Sequence, residues 1–402
     1  MPMLKDSSKR QRLLVALVAF VVSAVATVVA ASMPSAPISP LSGASPTPSA
    51  TAKATRDIPM GISYGDTLTW KSDAGLAKGL GDAVAVGAKW VRVDLSWNNI
   101  QPDSPYNYEW RRFDRVAKAA KARGLKVLAV IAYTPAWARV SGCTWGQNCA
   151  PADPDTFAAF AKLAAKRYSA MGVHTWEVWN EENIGFWRPA PDPAALTKLL
   201  KVSAEALRAG DSKAFVVMGG LAITKSSTKT KRLSSLDYLT AVAKLGGTKY
   251  VDAIGYHPYN YPQLPSDTPG TGTPFETIST VQENMVAVLA KYGTPDVPVW
   301  ITETGAPTSG PGDVSDGSVI TEKTSHVTEA RQAQIATDTV TTVVANPHVG
   351  AMFWYTDQDL AEAKDKKGRS MYYGLRRYDG SKKPAYDALK RALTAYEKKL
   401  KK

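Results

Sequence analysis

Two glutamates stand out by their neighbours. Glu181 lies in Trp176-Glu177-Val178-Trp179-Asn180-Glu181-Glu182-Asn183, and Glu303 in Val299-Trp300-Ile301-Thr302-Glu303-Thr304-Gly305. Each follows a short apolar, β-branched and aromatic run, the composition of a buried strand, and polar or turn-forming residues come next. A lone carboxylate in such a place is more often a salt-bridge partner than a reagent. Two that face each other can divide the work of acid and nucleophile, one kept protonated and the other ionised by its surroundings. About 5–5.5 Å apart, such a pair can carry out a double displacement at an acetal carbon; about 6.5–9.5 Å apart, it leaves room for a water and a single displacement. The elements that hold the two residues decide between these.

Eight strand signals run along the chain: Met60–Tyr64, Trp90–Leu95, Lys126–Ala132, His174–Trp179, Phe215–Met218, Tyr250–Tyr256, Val297–Thr302 and Gly350–Tyr355. Amphipathic stretches with helical spacing separate them, such as Phe157-Phe160-Leu163-Ala164-Tyr168 and Leu196-Leu199-Leu200-Ala204-Leu207, and Pro384–Leu400 closes the chain. Strands alternating with helices pair in parallel, and eight such units predict an α/β fold, a closed (β/α)8 TIM barrel, over a doubly wound open sheet. In a barrel, chemistry belongs at the C-terminal strand ends, where the βα loops converge. Those ends read Ser63-Tyr64, Trp97-Asn98, Tyr133-Thr134, Asn180-Glu181, Gly219-Gly220, His257-Pro258-Tyr259, Glu303-Thr304 and Trp354-Tyr355. Glu181 and Glu303 are 122 residues apart, close to three units of about 43 each, which places them on opposing sides of one mouth.

Other side chains are judged by strand parity. Arg92, in Trp90-Val91-Arg92-Val93-Asp94, shares the inward face with Asp94 and can reach the barrel centre, where its charge would keep Glu303 ionised; a structural salt bridge with Asp94 is the competing reading. Tyr259 can donate its hydroxyl to the same carboxylate. Glu177 reads as barrel interior, a partner for Arg92, and Glu182, of opposite parity to Glu181, as pointing away. Trp97, Trp137, Trp145 and Trp187 follow strand ends and are candidate platforms for stacking a ligand, whereas Trp90, Trp176 and Trp300 read as structural. Gly61-Ile62-Ser63-Tyr64-Gly65 matches a nucleophile elbow in letters, but no strand precedes it to supply an oxyanion loop. The glycine-rich stretches 270–272 and 310–317 lack the helix start of a phosphate cradle. His174 and His348 stand at strand starts, and His326 is expected to open a helix.

Both glutamate motifs resemble the signatures of glycoside hydrolase clan A, whose members carry Asn-Glu at the fourth strand and a second Glu at the seventh; the likeness runs over essentially all of residues 57–402. It implies that Glu181 is the general acid/base, Glu303 the nucleophile and Asn180 the residue that binds the sugar 2-hydroxyl. Trp354 resembles the floor of the −1 sugar site. His257, Tyr259, Arg92, Trp137 and Trp187 complete the expected substrate-binding set. The Thr134-Pro135-Ala136-Trp137 run, standing where family 5 members typically carry a His, is most similar to family 39, which is associated with β-xylosidases and bacterial exopolysaccharide hydrolases; family 5 comes next. The implied activity is retaining hydrolysis of a poly- or oligosaccharide without metal or organic cofactor. A transglycosylase remodelling wall glycan would use the same residues, and a non-catalytic glycan-binding barrel would have no need of both glutamates.

Composition sets the frame. The 402 residues include 44% hydrophobic positions, too many for a disordered chain, and only four His and two Cys, which argues against zinc fingers, Fe–S clusters and His-cluster metal sites. The net charge of +13 admits an acidic polymer as partner, but no nucleic-acid motif accompanies it. Residues 1–12 are basic and Leu13–Ala31 uncharged, with Ala24-Val25-Ala26 and Val29-Ala30-Ala31 as candidate cleavage sites, so residues 1–32 read as a signal peptide or an N-terminal membrane anchor. Residues 33–56, dominated by Pro, Ser, Thr, Ala and Gly, read as a tether, and 57–402 as the enzymatic domain. The expected location is secreted or extracytoplasmic, with membrane or cell-wall association through the N-terminus. In that compartment Cys143 and Cys149, six apart, are expected to form a disulfide clamp.

Overall fold

The structure, a computed structural model, describes residues 56–401. The leader expected over 1–32 and all but the last residue of the tether lie outside them. Eight parallel strands close into a barrel: β1 (Met60–Ser63), β2 (Trp90–Ser96), β3 (Lys126–Ala132), β4 (Thr175–Val178), β5 (Phe215–Ala222), β6 (Ala253–His257), β7 (Val299–Thr304) and β10 (Val349–Tyr355). Each matches one of the eight strand signals. β8 (Asp313–Ser315) and β9 (Thr324–Val327) form a separate two-stranded sheet in the loop after β7. His326 therefore lies in a strand, and the helix expected there starts at Glu329, where the Thr328 hydroxyl accepts from Arg331 N. The barrel's sixth strand also begins later than its sequence signal, because Gly247–Tyr250 form a 3-10 turn.

Eight principal helices pack outside: α1 (Asp73–Val86), α2 (Arg111–Lys121), α3 (Pro154–Ser169), α4 (Pro193–Gly210), α5 (Ser235–Lys244), α6 (Met285–Lys291), α7 (Glu329–Ala345) and α8 (Pro384–Leu400). Their starts follow from local chemistry. Asp153 and Asp192 each accept a backbone N–H at the first turn and are followed by Pro154 and Pro193, whose fixed φ suits a helix start. One apolar stripe of each helix meets the outward faces of the strands, so the largest core lies between barrel and helices.

The barrel interior is layered. Its floor is Leu128, Val217, Ala253, Trp300, Ala351 and Phe353, with Trp300 stacked on Phe215 and edge-on to Trp90. Parity from this floor puts Arg92, Glu177 and Thr302 one layer up. Two β-bulges then break the alternation: one in β5 between Met218 and Leu221, and one in β7, where Ile301 to Thr304 spans what β10 covers from Met352 to Trp354. A bulge re-aims the next side chain. In β7 it lets both Thr302 and Glu303 face the interior, which strict alternation forbids.

Candidate active site

The layer above the floor is ionic. Arg92, 1% exposed, donates from Nε to Glu177 Oε2 at 2.5 Å, from Nη1 to Glu303 Oε1 at 2.6 Å and from Nη2 to Asn180 Oδ1 at 2.7 Å. It also reaches Ser63 Oγ at 3.3 Å. The expected pairing with Glu177 and reach to Glu303 are both present; the competing ion pair with Asp94 is absent among the described residues. Glu177 is satisfied from the other side by Gly220 N at 2.9 Å and the Thr302 hydroxyl at 3.0 Å. Such a fully paired ionic core fixes side-chain directions, since each group has one low-energy arrangement.

At the mouth, His257 joins the two glutamates. Its Nδ1 lies 3.1 Å from Glu181 Oε1 and 3.8 Å from Glu303 Oε2, while Nε2 meets the Thr302 hydroxyl at 3.1 Å. Two carboxyls touching one ring nitrogen lie within about 7 Å of each other, below most of the span of single-displacement pairs. Gly220 makes this possible: a Cβ there would collide with the His257 ring. Backbone strain concentrates here too, with Tyr133, Trp179 and Glu181 at φ 73°, 76° and 49°, all at the ends of β3 and β4.

The environments of the two carboxyls differ. Burial works against ionising Glu303, but the His257 ring, the Arg92 guanidinium and the Tyr259 hydroxyl at 2.7 Å outweigh it and hold its carboxyl below the usual range. Glu181 has His257 as its side-chain hydrogen-bond partner and, among the described residues, no guanidinium against it. Asn180 gives its carbonyl oxygen to Arg92, so its NH2 group is left to face outward.

Several expected contacts fall elsewhere. Trp354 is fully buried: it pairs with Ile62 on the outward face, while its neighbour Tyr355 pairs with Ser63 on the inward face and is the residue that reaches the mouth. The one-residue difference exchanges the faces. Trp187, 2% exposed, packs edge-on against Trp179, 4.8 Å between ring centres, and offers no platform. Trp97 is likewise core. Trp137 is partly exposed and donates to Gln101 O at 2.9 Å, and Trp145 is the exposed member of the four. His257 is completely buried, and its two ring nitrogens meet Glu181 and Thr302. Ser63, the letter-match nucleophile, is buried against Arg92. Cys143 and Cys149 are bonded, closing the loop after β3.

Sequence reading missed Tyr373, which lies after β10 and packs on Tyr259, Tyr261 and Tyr355 with centres 5.2–5.9 Å apart, walling one side of Glu303. No periodicity marks it. It also treated Asp94 only as an ion-pair partner for Arg92. Asp94 is 8% exposed at the mouth, and burial with the nearby charges of Asp66 and Glu303, against the opposing pull of Arg92, pushes its carboxyl up to about 7.

Glu182 points away from the mouth, as its parity suggests, into the layer behind β5, where Gly219 makes room for it. Both its oxygens lack a partner, and burial pushes its carboxyl up to about 8. The fold thus favours the neutral acid: the contribution to stability is full below the unfolded value of about 4 and is lost as the pH rises through 8. Glu182→Gln is expected to melt with the wild type at pH 4 and on the order of 5 °C higher at pH 9. A melting difference that stays constant with pH would refute the assignment.

A closed (β/α)8 barrel with Asn-Glu beyond the fourth strand and a facing Glu on the seventh is the arrangement of glycoside hydrolase clan A. Residues 52–359 match the family model Cellulase (glycosyl hydrolase family 5), and the chain belongs to that family. Family 39, ranked first on the Thr-Pro-x-Trp run, appears among the structural neighbours. A family 39 glycoside hydrolase from Bacteroides cellulosilyticus WH2 superposes with a TM-score of 0.61 at 20% identity, covering 85% of this chain and 64% of that one. A monomeric β-xylosidase from Caulobacter crescentus CB15 gives 0.58 at 19%, covering 84% and 69%. A subfamily 18 member of family 5 from Streptomyces cattleya, solved with GlcNAc, gives 0.59 at 17%, covering 86% and 81%. At these identities the likeness concerns the fold. This chain thus spans less than two thirds of the Bacteroides protein. No curated protein sequence matches the chain significantly. Among the described residues no helix is long and apolar enough to cross a membrane.

Proposed function

We propose that the chain is an exported, retaining O-glycoside hydrolase acting on a poly- or oligosaccharide. The observation that carries this reading is the pair of glutamates meeting at His257, one held ionised by Arg92 and Tyr259 and the other free of any guanidinium. Glu303 attacks the anomeric carbon and forms a glycosyl ester, while Glu181 gives its proton to the departing oxygen. Glu181 then takes a proton from water, which attacks the anomeric carbon, breaks its bond to the Glu303 oxygen, and so releases the sugar and restores Glu303. Asn180 offers its NH2 to the sugar 2-hydroxyl, and Tyr355 and Tyr259 border the same space. Residues 57–402 are the catalytic unit in this reading.

Export rests on the basic-then-apolar leader and on the loop disulfide, a bond that persists in oxidising compartments. The tether would leave the barrel near the membrane or wall. The likeness to a Caulobacter β-xylosidase supports xylosides as first substrates to try. A 2-fluoro glycoside with an activated leaving group tests the mechanism: the Glu303 peptide is expected to gain the mass of one fluorosugar as activity disappears. Hydrolysis of the parent glycoside with inverted product and no labelled peptide would sink the double displacement.

A further inference from the structure

Every large aromatic side chain found exposed among the described residues, namely Trp70, Tyr106, Tyr108, Trp145 and Tyr378, sits in a segment between a barrel strand and the principal helix that follows it. Both exposed tryptophans carry a guanidinium on the ring: Arg112 lies 3.8 Å from the Trp70 centroid and Arg188 lies 4.3 Å from that of Trp145. The described arginine ion pairs belong to Arg92, Arg115, Arg167, Arg208, Arg376 and Arg377. Arg112, Arg139, Arg188 and Arg232 are among the described arginines that have none.

Three of these four gather on one flank of the mouth. Short β-bridges join Arg139 to Pro151 and Cys149 to Arg188, and the disulfide closes the loop that carries Trp145. The carbonyl of Asn183 accepts from Leu233 N, which brings Arg232 beside the β4 loop, and its charge bears on Arg188. All three are half-buried. Arg139 is hydrogen-bonded to Thr134 O and Asn98 Oδ1, and Arg188 to Gly185 O, all neutral acceptors. Arg188 and Arg232, half-buried like charges without a counter-charge, repel one another and have lost part of their hydration, so an anion bound between them relieves both costs. A guanidinium over one face of an indole can still present N–H donors to a carboxylate, and the other face of the indole can take the C–H face of a sugar ring.

We infer that the flank formed by the β3, β4 and β5 loops is a subsite for an acidic sugar of the polymer, away from the bond that is cut. This deepens the proposed glycosidase reading and rests on it for the word substrate, but the binding itself is separately measurable. The ring is stacked on Trp145 and its anionic group is held by Arg188 with Arg232. The acid group is a carboxylate of a uronic acid or a sulfate ester, which present the same charge to the same fork.

Affinity for glucuronoxylan oligosaccharides is to be compared with that for the same oligosaccharides after carboxyl reduction, and with sulfated xylan oligosaccharides, by calorimetry on the full chain. At 50 mM salt, as an order of magnitude, the acidic forms are expected to bind about tenfold tighter than the reduced form, with the gap narrowing as salt rises. Arg188→Gln and, independently, Arg232→Gln should remove most of the gap while aryl glycoside turnover stays within about twofold of wild type. Lys398→Gln with Lys399→Gln, on the far end of α8, should leave the gap intact, which separates the subsite from net charge. The order of carboxylated and sulfated ligands tells which acid group fits better. Equal affinity for acidic and reduced forms, or a gap indifferent to Arg188 and Arg232, overturns the inference. Loss of all aryl glycoside turnover in the wild type would strike the catalytic reading instead and leave this binding comparison standing.

Discussion

Glu303→Gln is expected to turn over an aryl glycoside roughly 10⁴–10⁶-fold more slowly than the wild type, because an amide cannot form the glycosyl ester that splits the reaction into two steps. The change is nearly isosteric, and the residues around it stay paired: Arg92 keeps Glu177 at 2.5 Å and Asn180 at 2.7 Å, and Tyr259 retains an oxygen acceptor. Far-UV circular dichroism should therefore match the wild type. The penalty falls on Arg92, whose buried charge loses one of two carboxylates, so a modest drop in melting temperature accompanies the kinetic loss. Turnover within tenfold of wild type in a folded variant would remove Glu303 as the attacking group.

Glu181→Ala should separate substrates by their leaving groups. A proton donor matters in proportion to the basicity of the departing oxygen, so natural linkages are expected to slow by about 10²–10⁴-fold. A dinitrophenyl glycoside, whose leaving group departs unprotonated, should still react in the first step and accumulate as the glycosyl enzyme, because water then lacks its base. Azide, which needs no deprotonation, should release that intermediate as a glycosyl azide and restore turnover. His257 keeps its bond to Thr302 in this variant, so the rest of the mouth is held. A uniform loss across leaving groups, with no azide effect, would assign Glu181 a structural part.

Both outcomes depend on the same buried layer, and the sequence carried most of it. Arg92 and Glu177 were legible as inward partners because a regular strand alternates faces, and β2 and β4 pair with β3 without a bulge. Alternation failed where the strands are irregular. In β7 the bulge turns Glu303 toward the mouth beside Thr302, and a strict count would have put it outside. At the end of β10 the register against β1 places Tyr355 inside and Trp354 in the outer core. Trp187 was indistinguishable from Trp145 by position alone; what separates them is that one packs on Trp179 and the other meets solvent and Arg188.

From sequence alone follow the eight alternating units, the parallel barrel they imply, and the two strands that end in glutamates, since periodicity and turn chemistry are local properties of the chain. The placement of both carboxyls against one imidazole, the ionic ladder from Arg92 through Glu177 and Thr302 to His257, and the tyrosine wall around Glu303 arise from segments that are distant along the chain. Barrel closure and two bulges bring them together, and a one-residue shift in either would send the same side chains to the opposite face.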